Sequence, residues 1–112
     1  MKHNEIFYLQ NILDSILRIE QYLSGVSEKE FQENNLVQDG VIRQLEIIGE
    51  AVKHLSTDLR LRYSHVPWQD IAGVRDKLIH DYFGVDIDQV WLMAREDIPL
   101  FKDEIIRIIE EK

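Results

Sequence analysis

Residues 37–55 read VQDGVIRQLEIIGEAVKHL, and the spacing of their apolar positions decides the fold. Val37, Val41, Leu45, Ile48, Val52 and Leu55 recur every three or four residues, close to a heptad seam. That period predicts one long amphipathic helix. Gly49 lies inside it, although glycine costs about 1 kcal/mol of helix propensity relative to alanine. Its presence fits either close approach of a neighbouring backbone or a plain surface position.

Helical spacing continues on both sides. Upstream, Ile6, Leu9, Leu13, Ile16 and Leu23 form one face of a first helix, with Asn4 as its expected cap and Gly25 at the expected αL stop. Ser27 and Glu30 have the spacing of a capping box for a short second helix that should fray at Asn34-Asn35. Downstream, residues 56–66 hold a turn or short helix around Thr57 to Tyr63. Pro67 suits the first position of a further helix, with Ile71, Val74 and Leu78 facing the core and Gly84 ending it. Asp86 or Asp88 can cap a final segment through Val90, Trp91 and Leu92, which Pro99 must kink or restart. Ile98, Phe101, Ile105, Ile108 and Ile109 carry the apolar stripe onward. No alternating, strand-like segment competes. The expectation is a single all-α domain over residues 1–112, a bundle of four to five helices.

Composition narrows the function classes. The 112 residues suit one domain and include no cysteine, which excludes disulfides, thiolate zinc sites and a cysteine nucleophile. The longest apolar run, Val90 to Ala94, is far too short to span a bilayer. Glu5, Asp14, Arg18 and Glu20 make the N-terminus unlike a signal peptide, so a cytoplasmic domain is expected. The net charge of −8 argues against a broad nucleic-acid footprint. Its distribution is uneven. Residues 41–80 carry six basic and five acidic groups and three of the four histidines, so any polyanion site belongs in that middle third.

Several familiar sites are missing: no glycine-rich phosphate loop, no His-Glu-x-x-His and no calcium loop. Glu50 and His54, four apart, could share a metal, but a solvated surface contact is the commoner outcome. Trp68 and Trp91 read as core or interface anchors. The segment Arg75-Asp76-Lys77-Leu78-Ile79-His80-Asp81-Tyr82-Phe83-Gly84 is different. It sets a permanent cation, a neutral-pH proton carrier and a phenol within two helical turns. Metal-free cleavage of RNA needs such groups. An imidazole of pKa near ~6.5 can take the 2′-hydroxyl proton, and a guanidinium can hold the charge that gathers on phosphorus. Asp76 and Lys77 are candidate supporting residues beside Arg75 and His80. A purely structural reading also stands, in which Arg75 and Lys77 are solvated, His80 caps a helix end and Tyr82 packs inward.

At ~100° per residue, Arg75 and Tyr82 share a helix face, whereas His80 lies about 140° around from Arg75. One copy cannot easily aim both at one phosphate. A two-fold homodimer that pairs the same helix from two chains would supply the missing partner.

The segment from Arg75 to Tyr82 resembles the Arg-x4-His-x-Tyr signature of the HEPN superfamily, specifically its HepT-like branch. The stretches Gln38 to Ala51, Pro67 to Asp76, Tyr82 to Asp86, Val90-Trp91 and Glu96 to Pro99 are similar to that family as well. The resemblance implies an all-helical homodimer whose paired motifs form a cleft, acting as a metal-independent ribonuclease toxin without cofactor. It further implies a minimal nucleotidyltransferase antitoxin that transfers AMP to the motif tyrosine. Arg75 and His80 would then be catalytic and Tyr82 the acceptor. The alternative is a non-catalytic helical partner of the nucleotidyltransferase.

Overall fold

A computed structural model describes residues 3–74 and 84–111, with side chains from Glu5 onward. These residues divide into α1 (His3–Leu23), α2 (Glu28–Glu33), α3 (Asn35–Lys53), α4 (Thr57–Arg62), α5 (Trp68–Ala72), α6 (Ile87–Leu92), a π-helical segment (Met93–Asp97) and α7 (Ile98–Glu110). Among the described residues there is no β-strand, and the protein is all-α.

The long helices α1, α3 and α7 carry the core. Leu9, Ile12, Ile16 and Ile19 of α1 meet Val41, Leu45, Ile48 and Val52 of α3 and Phe101, Ile105 and Ile108 of α7, all nearly inaccessible to solvent. The α1 stripe differs from the sequence reading. Ile12 and Ile19 are buried, while Ile6 and Leu13 are only half-buried, because α1 is covered from two sides by α3 and α7. Phe31 from α2 and Val90 from α6 close one end.

Local chemistry explains the boundaries. Gly25 has φ +72°, the left-handed stop after α1. Ser27 and Glu30 form the reciprocal capping box on α2, at 3.1 and 3.2 Å. Asn34 ends α2 and its side chain caps α3 by accepting from Val37 N–H at 3.1 Å. The expected cap at Asn4 is not at the boundary, since α1 already includes His3 and Asn4; helix ends of this kind fray and shift by a residue or two. Pro67 sits one position earlier than expected, at the N-cap of α5. The helix expected from Pro67 to Gly84 is also interrupted. Its first piece stops at Ala72, Gly73 caps it, and Val74 is helical again. Asp86, not Asp88, caps α6 by accepting from Gln89 N–H at 3.2 Å, whereas Asp88 accepts from the Gln32 amide at 2.7 Å. The restart demanded by Pro99 is real: the chain widens into the π segment and Pro99 falls in the first turn of α7, where its missing N–H costs nothing.

Candidate active site and its surroundings

Arg75, Asp76, Lys77, His80 and Tyr82 lie outside the described residues, as does Leu78. What the structure defines is the frame that holds the two ends of their segment. Val74, the residue before Arg75, is 3% exposed and packs into the core. Its position is set by the contact between α5 and α3. A Cβ on Gly49 would stand 3.0 Å from the Ile71 carbonyl oxygen and 3.0 Å from Val74 Cγ1, so the glycine in α3 is where the two backbones approach. Trp68 fixes α5 from the other side: its ring is buried, meets Phe101 edge-on at 5.8 Å, and its indole N–H donates to the Tyr63 carbonyl at 3.0 Å. At the far end, Gly84 adopts φ +123°, a conformation that side-chain-bearing residues rarely take. The capped α6 follows, anchored by the fully buried Val90.

Two grooves meet at Val74. The first, of about 660 Å³, runs between α3, α5 and α7 and is apolar at its base, with Leu45, Ile71 and Phe101. Its rim is charged: His65 and Glu104 lie 2.7 Å apart, and Arg107 lies 3.8 Å from Glu104. The second, of about 620 Å³, runs between α1 and α3 and is polar, lined by Tyr8, Ser15 and Arg18 on one side and Arg43, Gln44 and His54 on the other. Lys53 and His54 each reach Glu50, at 3.8 and 3.7 Å. The Glu50–His54 pair is therefore a half-exposed contact within one helix. Among the described residues no group of three or more His, Asp or Glu is placed to hold a metal ion. No described helix is long and apolar enough to cross a membrane.

The polar groove escaped the sequence reading, which followed apolar positions only. Its signal was present. Tyr8, Asn11, Ser15 and Arg18 are spaced three, four and three apart, and Arg43, Ile47, Glu50 and His54 four, three and four apart. Two largely polar stripes at helical spacing on neighbouring helices mark a shared face.

The described residues form an all-α frame on both sides of the motif segment. The sequence profile of the Ribonuclease HepT-like family matches residues 12–108, and the chain belongs to that family. Among curated relatives, the chain is 39% identical over 108 residues to the "Probable ribonuclease HepT" of Thermococcus cleftensis, covering 96% of this chain and 98% of that one. It is 42% identical over 104 residues to the "Putative RNase MJ1216" of Methanocaldococcus jannaschii, covering 93% of this chain and 86% of that one. A third relative is the "Gamma-glutamylcyclotransferase and putative RNase MJ0434" of the same organism, 45% identical over 111 residues. That match covers 99% of this chain and only half of the relative's length. No solved structure gives a significant match.

Proposed function

We propose that the chain is a metal-independent endoribonuclease, the toxin of a toxin–antitoxin pair, working at a cleft between two copies. The observation that carries this is the uninterrupted Arg75-x4-His80-x-Tyr82 sequence inside a chain that matches the HepT-like family over residues 12–108. In this reading His80 accepts the proton of a 2′-hydroxyl, whose oxygen attacks the adjacent phosphorus. Arg75 holds the charge that develops there, with Asp76 and Lys77 in support. Tyr82 is the residue to which a minimal nucleotidyltransferase transfers AMP, and that transfer silences the enzyme in the cytoplasm.

Two features support a second copy. The molecule measures 42 × 31 × 21 Å, and 21 Å is only about two helix diameters of ~10–12 Å. Such a thin body leaves large apolar side chains uncovered, among them Phe7, Leu61 and Leu100, each more than half exposed. The angular offset that helical spacing predicts between Arg75 and His80 would also need a partner to complete one site.

The test is growth on expression of the chain alone, beside its His80→Ala form. Growth arrest that disappears with His80 is the expected result. Equal harmlessness of both would overturn the reading in favour of a non-catalytic partner of the nucleotidyltransferase.

A further inference from the structure

We infer that the polar groove between α1 and α3 seats one nucleotide of the RNA chain, its base against Gln44 and the Tyr8–His54 stack and its phosphate on Arg18 and Arg43. The inference rests on the ribonuclease reading and deepens it, because it places substrate contacts outside the Arg75–Tyr82 motif.

Gln44 is the first reason. Only 5% of its surface is exposed, yet no hydrogen bond joins its amide to any described residue. Among the described residues no fully buried side-chain N or O atom lacks a partner, so the amide opens into the groove that Gln44 lines. A ligand entering the groove can therefore meet both the donor and the acceptor of this amide. A donor next to an acceptor is the pattern with which a glutamine amide meets a base edge.

A stacking surface lies in the same groove. The rings of Tyr8 and His54 are 4.8 Å apart and within 9° of parallel, and 52% of the His54 side chain remains accessible. Bases of single-stranded RNA are held on such aromatic and imidazole planes.

The charges are arranged to suit a phosphate. Arg18 and Arg43 line the groove, are exposed, and have no ion pair or hydrogen bond with any described residue. Glu50 is already engaged by Lys53 and His54, at 3.8 and 3.7 Å. Asp14 and Glu46 also line the groove. On a chain of net charge −8, RNA gains little from long-range attraction and depends on local cations of this kind. The groove's volume of about 620 Å³ falls within the ~300–1,000 Å³ of small-molecule sites, and Val74 brings one end of it to the residue before Arg75.

The test uses fluorescence anisotropy with labelled single-stranded RNA homopolymers of the four bases. The full chain carries His80→Ala so that the probes stay intact. The double variant Arg18→Ala, Arg43→Ala should weaken binding at least tenfold and flatten the slope of log affinity against log salt by about 0.7, one single-strand phosphate contact. Gln44→Leu should level the affinities of the four probes, and Gln44→Glu, which keeps the acceptor and removes the donor, should reorder them. Unchanged affinity and salt slope in the double variant would overturn the inference. So would a double variant whose mass in light scattering falls by half, because the groove would then be a contact between copies. Cleavage by the unmodified chain with unaltered binding by the double variant removes the groove and leaves the ribonuclease reading. Binding as expected with no cleavage by the unmodified chain removes that reading and keeps the groove.

Discussion

Gly49 of α3 lies so close to Ile71 that a Cβ added to the glycine would stand 3.0 Å from the Ile71 carbonyl oxygen. The contact joins the longest buried stripe of α3 to the residues that lead into Arg75. Alanine at this position gains about 1 kcal/mol of helix propensity. That gain is offset by a clash with a backbone oxygen, and with Val74 Cγ1 at the same distance. Backbone cannot rotate out of the way as a long side chain can. Overpacking of a filled site typically costs ~1–3 kcal/mol, so Gly49→Ala should lower stability by about 1 kcal/mol overall. It should also reduce ribonuclease activity by displacing Val74, which a urea titration beside a cleavage assay would read together. A stabilised, fully active Gly49→Ala protein would show that α5 yields freely.

Tyr63 joins the end of α4 to the residue after α7, its phenol donating to Glu111 Oε2 at 2.5 Å. The hydrogen bond to Glu111 raises the phenol's pKa above its ordinary 10.0, and burial adds to the effect. The folded state therefore holds this proton more tightly than the unfolded chain does. Its contribution to stability is complete below pH 10 and is lost as pH rises through the higher folded value. Tyr63→Phe should cost about 1 kcal/mol at pH 7. The difference from the unmodified protein should shrink above pH 10, which urea titrations between pH 7 and 11 would follow.

The parts of the fold that were legible depend on local chemistry. Ser27 with Glu30 and Asp86 with Gln89 N–H are caps whose partners lie three residues away, so spacing alone reveals them. At Gly49 the sequence left close approach and a plain surface position open, and the packing of α5 on α3 decides for close approach. Gly73 was harder. The apolar spacing of Ile71, Val74 and Leu78 runs straight through it, and only packing of α5 on α3 ends the helix at Ala72. The π segment is another long-range effect. Arg95 within it donates to the Val26 carbonyl at 3.0 Å, a contact between residues 69 positions apart, and lies 4.8 Å from the ring centre of Trp91 one turn before it. The polar groove was missed for a related reason: Gln44 looks like any surface glutamine until the faces of α1 and α3 are placed side by side.

Arg75→Ala and His80→Ala should each abolish RNA cleavage while the helical circular dichroism spectrum stays intact. Loss of a positioned proton acceptor typically costs ~10²–10⁴ in rate. Loss of charge stabilisation at the reacting phosphate costs about 10²–10³. Chelators should leave the rate unchanged, because proton transfer and charge stabilisation are both assigned to side chains. A requirement for added magnesium would contradict the assignment.

Modification of Tyr82 should inactivate by charge and bulk together. If residues 75–82 are helical, as their sequence spacing predicts, an adenylyl group on Tyr82 would place a phosphodiester anion on the face shared with Arg75, and its adenosine would occupy space in the proposed cleft. The anion competes with the scissile phosphate for the guanidinium. At ~0.15 M salt the Debye length is about 8 Å, so the effect is local to the cleft. Tyr82→Phe removes the acceptor oxygen and keeps the ring. It should therefore still arrest growth when expressed with the nucleotidyltransferase, whereas the unmodified chain should be silenced and its Tyr82 peptide should carry the mass of AMP. Full silencing of the Tyr82→Phe protein by the partner would show that control lies in binding and not in the modification.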